Sequence, residues 1–152
     1  MIKKILIGIV FFIIGFGIAV FLYSFFRHLI QDLFQWTTNN KVHFGGKDFY
    51  LFGNPYYFTS FGLIFLIFSI ANRKTKPLKI MMNGIFVTIL FGIALTGICA
   101  INANLKIVEC TDCDDGIIRL GYNEINYSLI LSFSALLSII PSLVLMIKAK
   151  KN

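Results

Sequence analysis

The most reactive stretch of the sequence covers residues 109–116 and reads ECTDCDDG. It contains two cysteines at CxxC spacing, Cys110 and Cys113, together with four carboxylates. Thiols at this spacing close a disulfide, cycle between dithiol and disulfide, or bind a metal with neighbouring ligands. Which chemistry applies depends on the side of the membrane where the stretch lies, because disulfides persist only in oxidising compartments.

The composition of the chain is that of a membrane protein. Of its 152 residues, 57% are hydrophobic and 14% are charged, whereas a soluble domain has about 25% charged residues. Charge-free windows predict helical spans at about residues 5–26, 56–72, 80–103 and 126–147, since crossing the hydrocarbon takes about 20 apolar residues. The sequence therefore predicts an all-α membrane protein, a four-transmembrane-helix bundle, with residues 1–152 as a single polytopic domain.

The positions of the basic residues predict the orientation of these helices. The two termini and the inner loop 73–79 carry nine basic residues and no acid, whereas the outer segments 27–55 and 104–125 carry all seven acids. Lys and Arg concentrate in cytoplasmic loops. We therefore expect both termini to be cytoplasmic, in a bacterial inner (plasma) membrane, with residues 109–116 outside.

The inner basic residues form a predicted contact surface for anionic lipid headgroups or a cytosolic protein, at about 1 kcal/mol per residue near the surface. Apart from Lys3 and Lys4, they are Arg73, Lys74, Lys76, Lys79, Lys148, Lys150 and Lys151. The orientation rule alone also accounts for these charges. No basic patch is interleaved with exposed aromatic residues, so direct nucleic-acid binding is not expected.

Small residues at every fourth position mark the third predicted helix. They are Gly84, Thr88, Gly92, Thr96 and Ala100. Such a stripe lets two helix backbones approach closely, and threonine can hydrogen-bond across the contact. We expect this stripe to form a helix-packing interface within or between subunits of a homo-oligomer; the alternative is the lining of a pore.

The outer segments are predicted to form a small cap. Residues 27–36, RHLIQDLFQW, suit a helix at the membrane interface with Trp36 at headgroup level. Residues 41–52 contain a Gly-Gly dipeptide between two strand-like runs, and the runs KIVE (106–109) and IIRLGY (117–122) flank the cysteines. These patterns predict two β-hairpins that form an extracytoplasmic cap.

The predicted outer location favours a structural disulfide between Cys110 and Cys113. Redox catalysis is a second interpretation, although a thiol oxidase passes electrons between two cysteine pairs, and the chain has one pair plus Cys99. A metal site is a third, but structural zinc generally takes four Cys or His ligands. The sequence contains no recognisable nucleophile or phosphate-binding motif. No catalytic residue, cofactor or metal is therefore predicted.

The sequence favours a non-enzymatic interaction or sensor subunit. In this hypothesis the outer cap receives a signal, and the basic inner face contacts a cytosolic partner. By architecture alone, the chain resembles four-helix membrane subunits that some bacterial anti-phage systems pair with a cytosolic effector, which implies a role in defence or stress. The alternatives are a membrane thiol-disulfide oxidoreductase that uses Cys110 and Cys113, and an oligomeric channel.

Replacing both Cys110 and Cys113 by serine distinguishes the structural from the redox interpretation. A structural disulfide closing so short a loop stabilises the fold by at most about 3 kcal/mol. The double variant should therefore lose some heat stability and keep the phenotype of the intact protein at matched membrane abundance. Loss of the phenotype without loss of protein would show that the pair is redox-active.

Overall fold

The computed structural model describes residues 2–38, 42–45, 55–73, 75–109, 118–121 and 124–151, and these are nearly all helical. The helices are α1 (Ile2–Thr37), α2 (Pro55–Ala71), α3 (Pro77–Glu109), α4 (Tyr127–Ser138) and α5 (Ile140–Lys151). Two strands, β1 (Val42–Gly45) and β2 (Ile118–Gly121), lie between them. Proline begins α2 and α3, where its missing N–H breaks no helical hydrogen bond. Asn126 caps α4, because its side chain accepts a hydrogen bond from the Leu129 amide at 3.1 Å.

Three helical stretches are long and apolar enough to cross a membrane: Leu6–Thr37, Pro77–Lys106 and Tyr127–Val144. The sequence predicted four, but α2 is shorter, with 17 residues. The predicted span at 126–147 is also not one regular helix, since α4 and α5 meet at Ile139. Pro141 explains the interruption, because it has no N–H to donate to the carbonyl of Leu137, four residues earlier.

The predicted β-hairpin cap is wrong. Residues 106–109, expected as a strand, form the last turn of α3, because no glycine or proline ends the helix earlier. Among the described residues, β1 pairs with β2 in parallel, with Val42 opposite Ile118 and Gly45 opposite Gly121. The two strands of a hairpin run antiparallel. The predicted fold class is therefore corrected to a nearly all-helical membrane protein with one short parallel strand pair.

Helices α1 and α3 are much longer than a bilayer requires. Their 36 and 33 residues correspond to about 54 and 50 Å, against about 30 Å for the hydrocarbon core. Residues 27–36, expected as a separate helix at the interface, continue α1 without a break. The extra turns of both helices stay packed in the bundle, since Ile30 and Phe34 of α1 and Ala103 of α3 are buried.

Glycines bring α1 and α2 into close contact. A Cβ atom on Gly15 would lie 2.7 Å from the carbonyl oxygen of Phe61, and one on Gly62 would lie 2.7 Å from the ring of Phe12. At this separation the hydroxyl of Tyr57 donates a hydrogen bond to the carbonyl of Ala19 at 2.9 Å. Such close backbone approach is typical of membrane helices that pack through small residues.

Aromatic rings fill the centre of the bundle. The rings of Phe26 (α1), Phe61 (α2) and Phe91 (α3) lie with centroids 5.5–5.8 Å apart, a separation at which tilted rings attract one another. Helices α2 and α3 each pack against α1 and α4 but make few contacts with each other. As a result, α2 and α3 face each other across the bundle.

Replacing Gly15 by alanine should weaken the α1–α2 contact. The added methyl group meets backbone, which cannot move aside, and overpacking of this kind costs about 1–3 kcal/mol. The matched control is Gly17→Ala, because a Cβ atom at Gly17 meets no other atom within 4 Å. We expect a lower midpoint of thermal unfolding in detergent for Gly15→Ala only. Equal midpoints for the two variants would show that the contact is not close.

Candidate functional site

Cys110 and Cys113 lie outside the described residues, so the disulfide stays a prediction. The described residues contain one cysteine, Cys99, which is a free thiol fully buried on α3. The described parts of the chain contain no group of three or more His, Cys, Asp or Glu side chains that could hold a metal.

The small-residue stripe of α3 lies mostly outside the packed interior of the single chain. The interior face of α3 consists instead of Leu95, Cys99 and Ala103. Within the stripe, Thr88 and Gly92 are exposed, and a Cβ atom on Gly92 would meet nothing within 4 Å. The stripe therefore contributes little to packing within the chain, and the predicted interface between copies stays a prediction.

The threonine hydroxyls of this stripe are already hydrogen-bonded. Thr88 donates to the carbonyl of Gly84 at 3.0 Å, and Thr96 donates to the carbonyl of Gly92 at 2.9 Å. Each threonine hydroxyl donates within its own helix, so the side chain exposes its methyl group and a lone pair of the oxygen. The stripe is therefore a shallow, mostly apolar groove, which a neighbouring helix in hydrocarbon can fill.

The serines of α4 and α5 face the interior of the bundle. Ser128, Ser132, Ser134, Ser138 and Ser142 are all buried. The hydroxyls of Ser134 and Ser138 donate to the carbonyls of Ile130 and Ala135, both at 2.7 Å. The hydroxyl of Ser132 has no hydrogen-bond partner among the described residues. Small serines here let α4 approach α2 and α3, as glycines do between α1 and α2.

A buried cation lies at the end of the bundle where α1 meets the start of α4, and it was not predicted from the sequence. The guanidinium of Arg27 lies between two tyrosine rings, 5.4 Å from the centroid of Tyr23 and 4.6 Å from that of Tyr127. Arg27 is only 7% exposed. Desolvated cation–π contacts contribute about 2 kcal/mol. The spacing of Tyr23 and Arg27, four residues apart after an apolar run, is the signal that could have indicated it.

This cation connects α1 to the start of α4. Beside it, the side-chain amide of Gln31 donates a hydrogen bond to the hydroxyl of Tyr127 at 2.9 Å. One turn of α1 thus contacts Tyr127 through both a ring face and a hydroxyl.

The opposite end of the bundle contains the turn between α2 and α3. The amide of Asn83 donates to the side-chain oxygen of Asn72 at 2.6 Å, and Asn72 in turn donates to the carbonyl of Phe68 at 3.0 Å. Three basic side chains of this turn, Arg73, Lys76 and Lys79, are exposed. Lys74 lies outside the described residues, and Lys148, Lys150 and Lys151 belong to α5.

No protein-family profile, curated protein or solved structure matches this sequence. The described residues offer three surfaces that could make contacts. These surfaces are the α3 stripe, the Arg27 cluster at one end and the basic turn at the other.

Replacing Gly92 by leucine should reduce self-association. The side chain enters open space in the single chain but blocks close approach of a second helix to the α3 stripe. Gly97→Leu is the matched control, because a Cβ atom there also meets nothing within 4 Å and Gly97 lies outside the stripe. Light scattering in mild detergent should show a smaller assembly for Gly92→Leu alone. The same assembly size for both variants would exclude the stripe as the interface.

Proposed function

We propose that this protein is a non-enzymatic interaction and sensing subunit of the bacterial inner membrane that forms homo-oligomers. The main support is the length of α1 and α3, two unbroken helices of 36 and 33 residues, each longer than the roughly 20 residues that cross a bilayer. Lys3 and Lys4 lie in the first turn of α1, and α3 begins within the basic turn. Each helix thus joins an outer segment to a basic inner segment.

The proposed topology has both termini in the cytoplasm. It requires α2 to return across the membrane, and the packing of α2 supports this. A Cβ atom on Gly8 would lie 4.0 Å from Leu66, near the inner end of α2, while Tyr57 bonds Ala19 near its outer end. Because α2 lies antiparallel along the same length of α1, the two helices occupy the same depth. A 17-residue helix is at the short end of the range that spans a bilayer.

In this proposal, a ligand or protein at the outer segments moves the C-terminal ends of α1 and α3. Arg27 and Gln31 pass the movement of α1 to Tyr127 at the start of α4. The serine-lined packing of α4 and the break at Ile139 then pass it to α5, which carries the C-terminal lysines. A cytosolic partner with an acidic surface then responds to the movement of α5. A role in bacterial defence or stress belongs to the same proposal by analogy of architecture.

The two alternatives have less support from the described residues. An oligomeric channel needs a continuous polar lining, whereas the bundle interior is formed largely by phenylalanine, leucine and isoleucine, and two of the buried serines bond their own helix. A thiol oxidoreductase needs a second reactive thiol pair, whereas Cys99 is a single thiol buried in the core.

Reporter fusions test the topology. Alkaline phosphatase fused after Asn152 should be inactive, and the same enzyme fused after Asp115 should be active, because the enzyme folds only outside the cytoplasm, where its disulfides form. A fusion after Thr75, in the turn between α2 and α3, should be inactive if α2 crosses the membrane. Activity of the Thr75 fusion would show that α2 does not cross and would overturn the proposed orientation.

Charge variants test the proposed partner contact. Replacing Lys148, Lys150 and Lys151 by glutamine should release a cytosolic protein that co-purifies with the wild-type chain from native membranes, since each basic residue contributes about 1 kcal/mol near an acidic surface. Replacing Lys41 and Lys47 of the outer segment by glutamine is the control and should not release it. Equal retention by both variants would show that the C-terminal lysines do not hold a partner.

A further inference from the structure

A cavity of about 320 Å³ lies between the helices. Its walls come from α2 and α3, which face each other without close packing, and from Ile18 and Phe26 of α1 and Ser138 of α4. The cavity is partly open to the surface of the bundle. For scale, a cavity of about 150 Å³ holds one benzene molecule, so this one has room for roughly a dozen carbon atoms.

The cavity is suited to hydrocarbon. Its lining is almost entirely apolar and includes the rings of Phe61, Phe65, Phe68 and Phe91. The two hydroxyls at its edge, Thr88 and Ser138, donate to carbonyls of their own helices, so neither offers a hydrogen to a ligand. A polar ligand would find no donor there, whereas an alkyl chain requires none.

The cavity lies at the depth of the bilayer, with one end directed toward the basic turn. Phe68 and Gly84 line that end, and they lie five residues along the chain from Arg73 and Lys79, respectively. Arg73, Lys76 and Lys79 are exposed at the surface of the turn. The apolar walls match the acyl chain of an anionic lipid, and the exposed cations at their end match its negatively charged headgroup.

We propose that this cavity binds one acyl chain of an anionic phospholipid from the leaflet next to the turn between α2 and α3, with the headgroup phosphate against Arg73, Lys76 and Lys79. The chain enters between α2 and α3 and fills the space that these helices leave between them. The proposal goes beyond the proposed function, because it depends on the cavity between the helices and on the basic turn beside it, and not on any sensing role.

Photoreactive lipids test this proposal on the full-length protein in vesicles. The probes are phosphatidylglycerol and phosphatidylcholine, each with a diazirine in the middle of one acyl chain, and labelled residues are mapped by mass spectrometry. We expect phosphatidylglycerol to label Phe65, Phe68, Val87 or Phe91 about tenfold more than phosphatidylcholine does. If the labels in the wild-type protein are confined to lipid-facing residues such as Ile85, Ile89 and Ile93, the proposal is wrong.

Two pairs of variants test the two parts of the site separately. Val87→Trp fills the cavity and should abolish the interior labels, whereas Ile89→Trp, at a position 55% exposed, should keep them.

The second pair tests the headgroup contact. Replacing Arg73, Lys76 and Lys79 by glutamine should reduce the amount of labelling by phosphatidylglycerol to the amount by phosphatidylcholine. Replacing the three C-terminal lysines removes the same charge and should leave labelling by phosphatidylglycerol unchanged. Equal labelling of the wild type by both lipids would refute the headgroup contact.

Discussion

The close packing of α1 against α2 requires residues without side chains at two positions. Any Cβ atom at Gly15 would collide with the carbonyl of Phe61, and one at Gly62 would collide with Phe12. In hydrocarbon, burial of apolar surface does not drive helices together, so contact between closely packed surfaces must hold them. The two glycines fix the register in which Tyr57 bonds Ala19. They also place Phe61 and Phe65, which form the α2 wall of the cavity.

The end of the bundle where α4 begins depends on a different interaction. Burying a guanidinium is costly unless its charge is compensated, and here the faces of two tyrosine rings supply part of that compensation. Arg27 directly follows the charge-free run of α1. Beyond Arg27, α1 stays packed in the bundle, since Ile30 and Phe34 are buried, and Gln31 attaches it to α4 through Tyr127.

The helical, membrane-spanning character of the chain could be predicted from composition, because hydrocarbon allows few other structures. The ends of the helices could not. The run of residues 106–109 contains β-branched side chains, which favour strands, yet it extends a helix that is already anchored by Leu95, Cys99 and Ala103. A preformed helix adds a hydrogen bond with each residue it gains, and this gain outweighs a weak local preference. The pairing of residues 42–45 with 118–121 joins segments far apart in the sequence, which local patterns cannot indicate.

The candidate contact surfaces could likewise be predicted only in part from the sequence. Spacing identified the α3 stripe, but spacing cannot tell whether a stripe faces its own bundle or a neighbour. The other small residues give a comparison: Gly8 and Gly15 of α1 face α2, and the serines of α4 face the interior. Of these sets, the α3 stripe alone has a centre, at Thr88 and Gly92, that lies exposed on the surface of the described chain. Lipid chains cover such a groove loosely, whereas a second helix fills it with ordered contacts.

The α3 stripe also ends at Gly84, which lines the cavity near the basic turn. Association of two copies through α3 would therefore place a second helix next to the bound acyl chain and would couple oligomer formation to lipid occupancy.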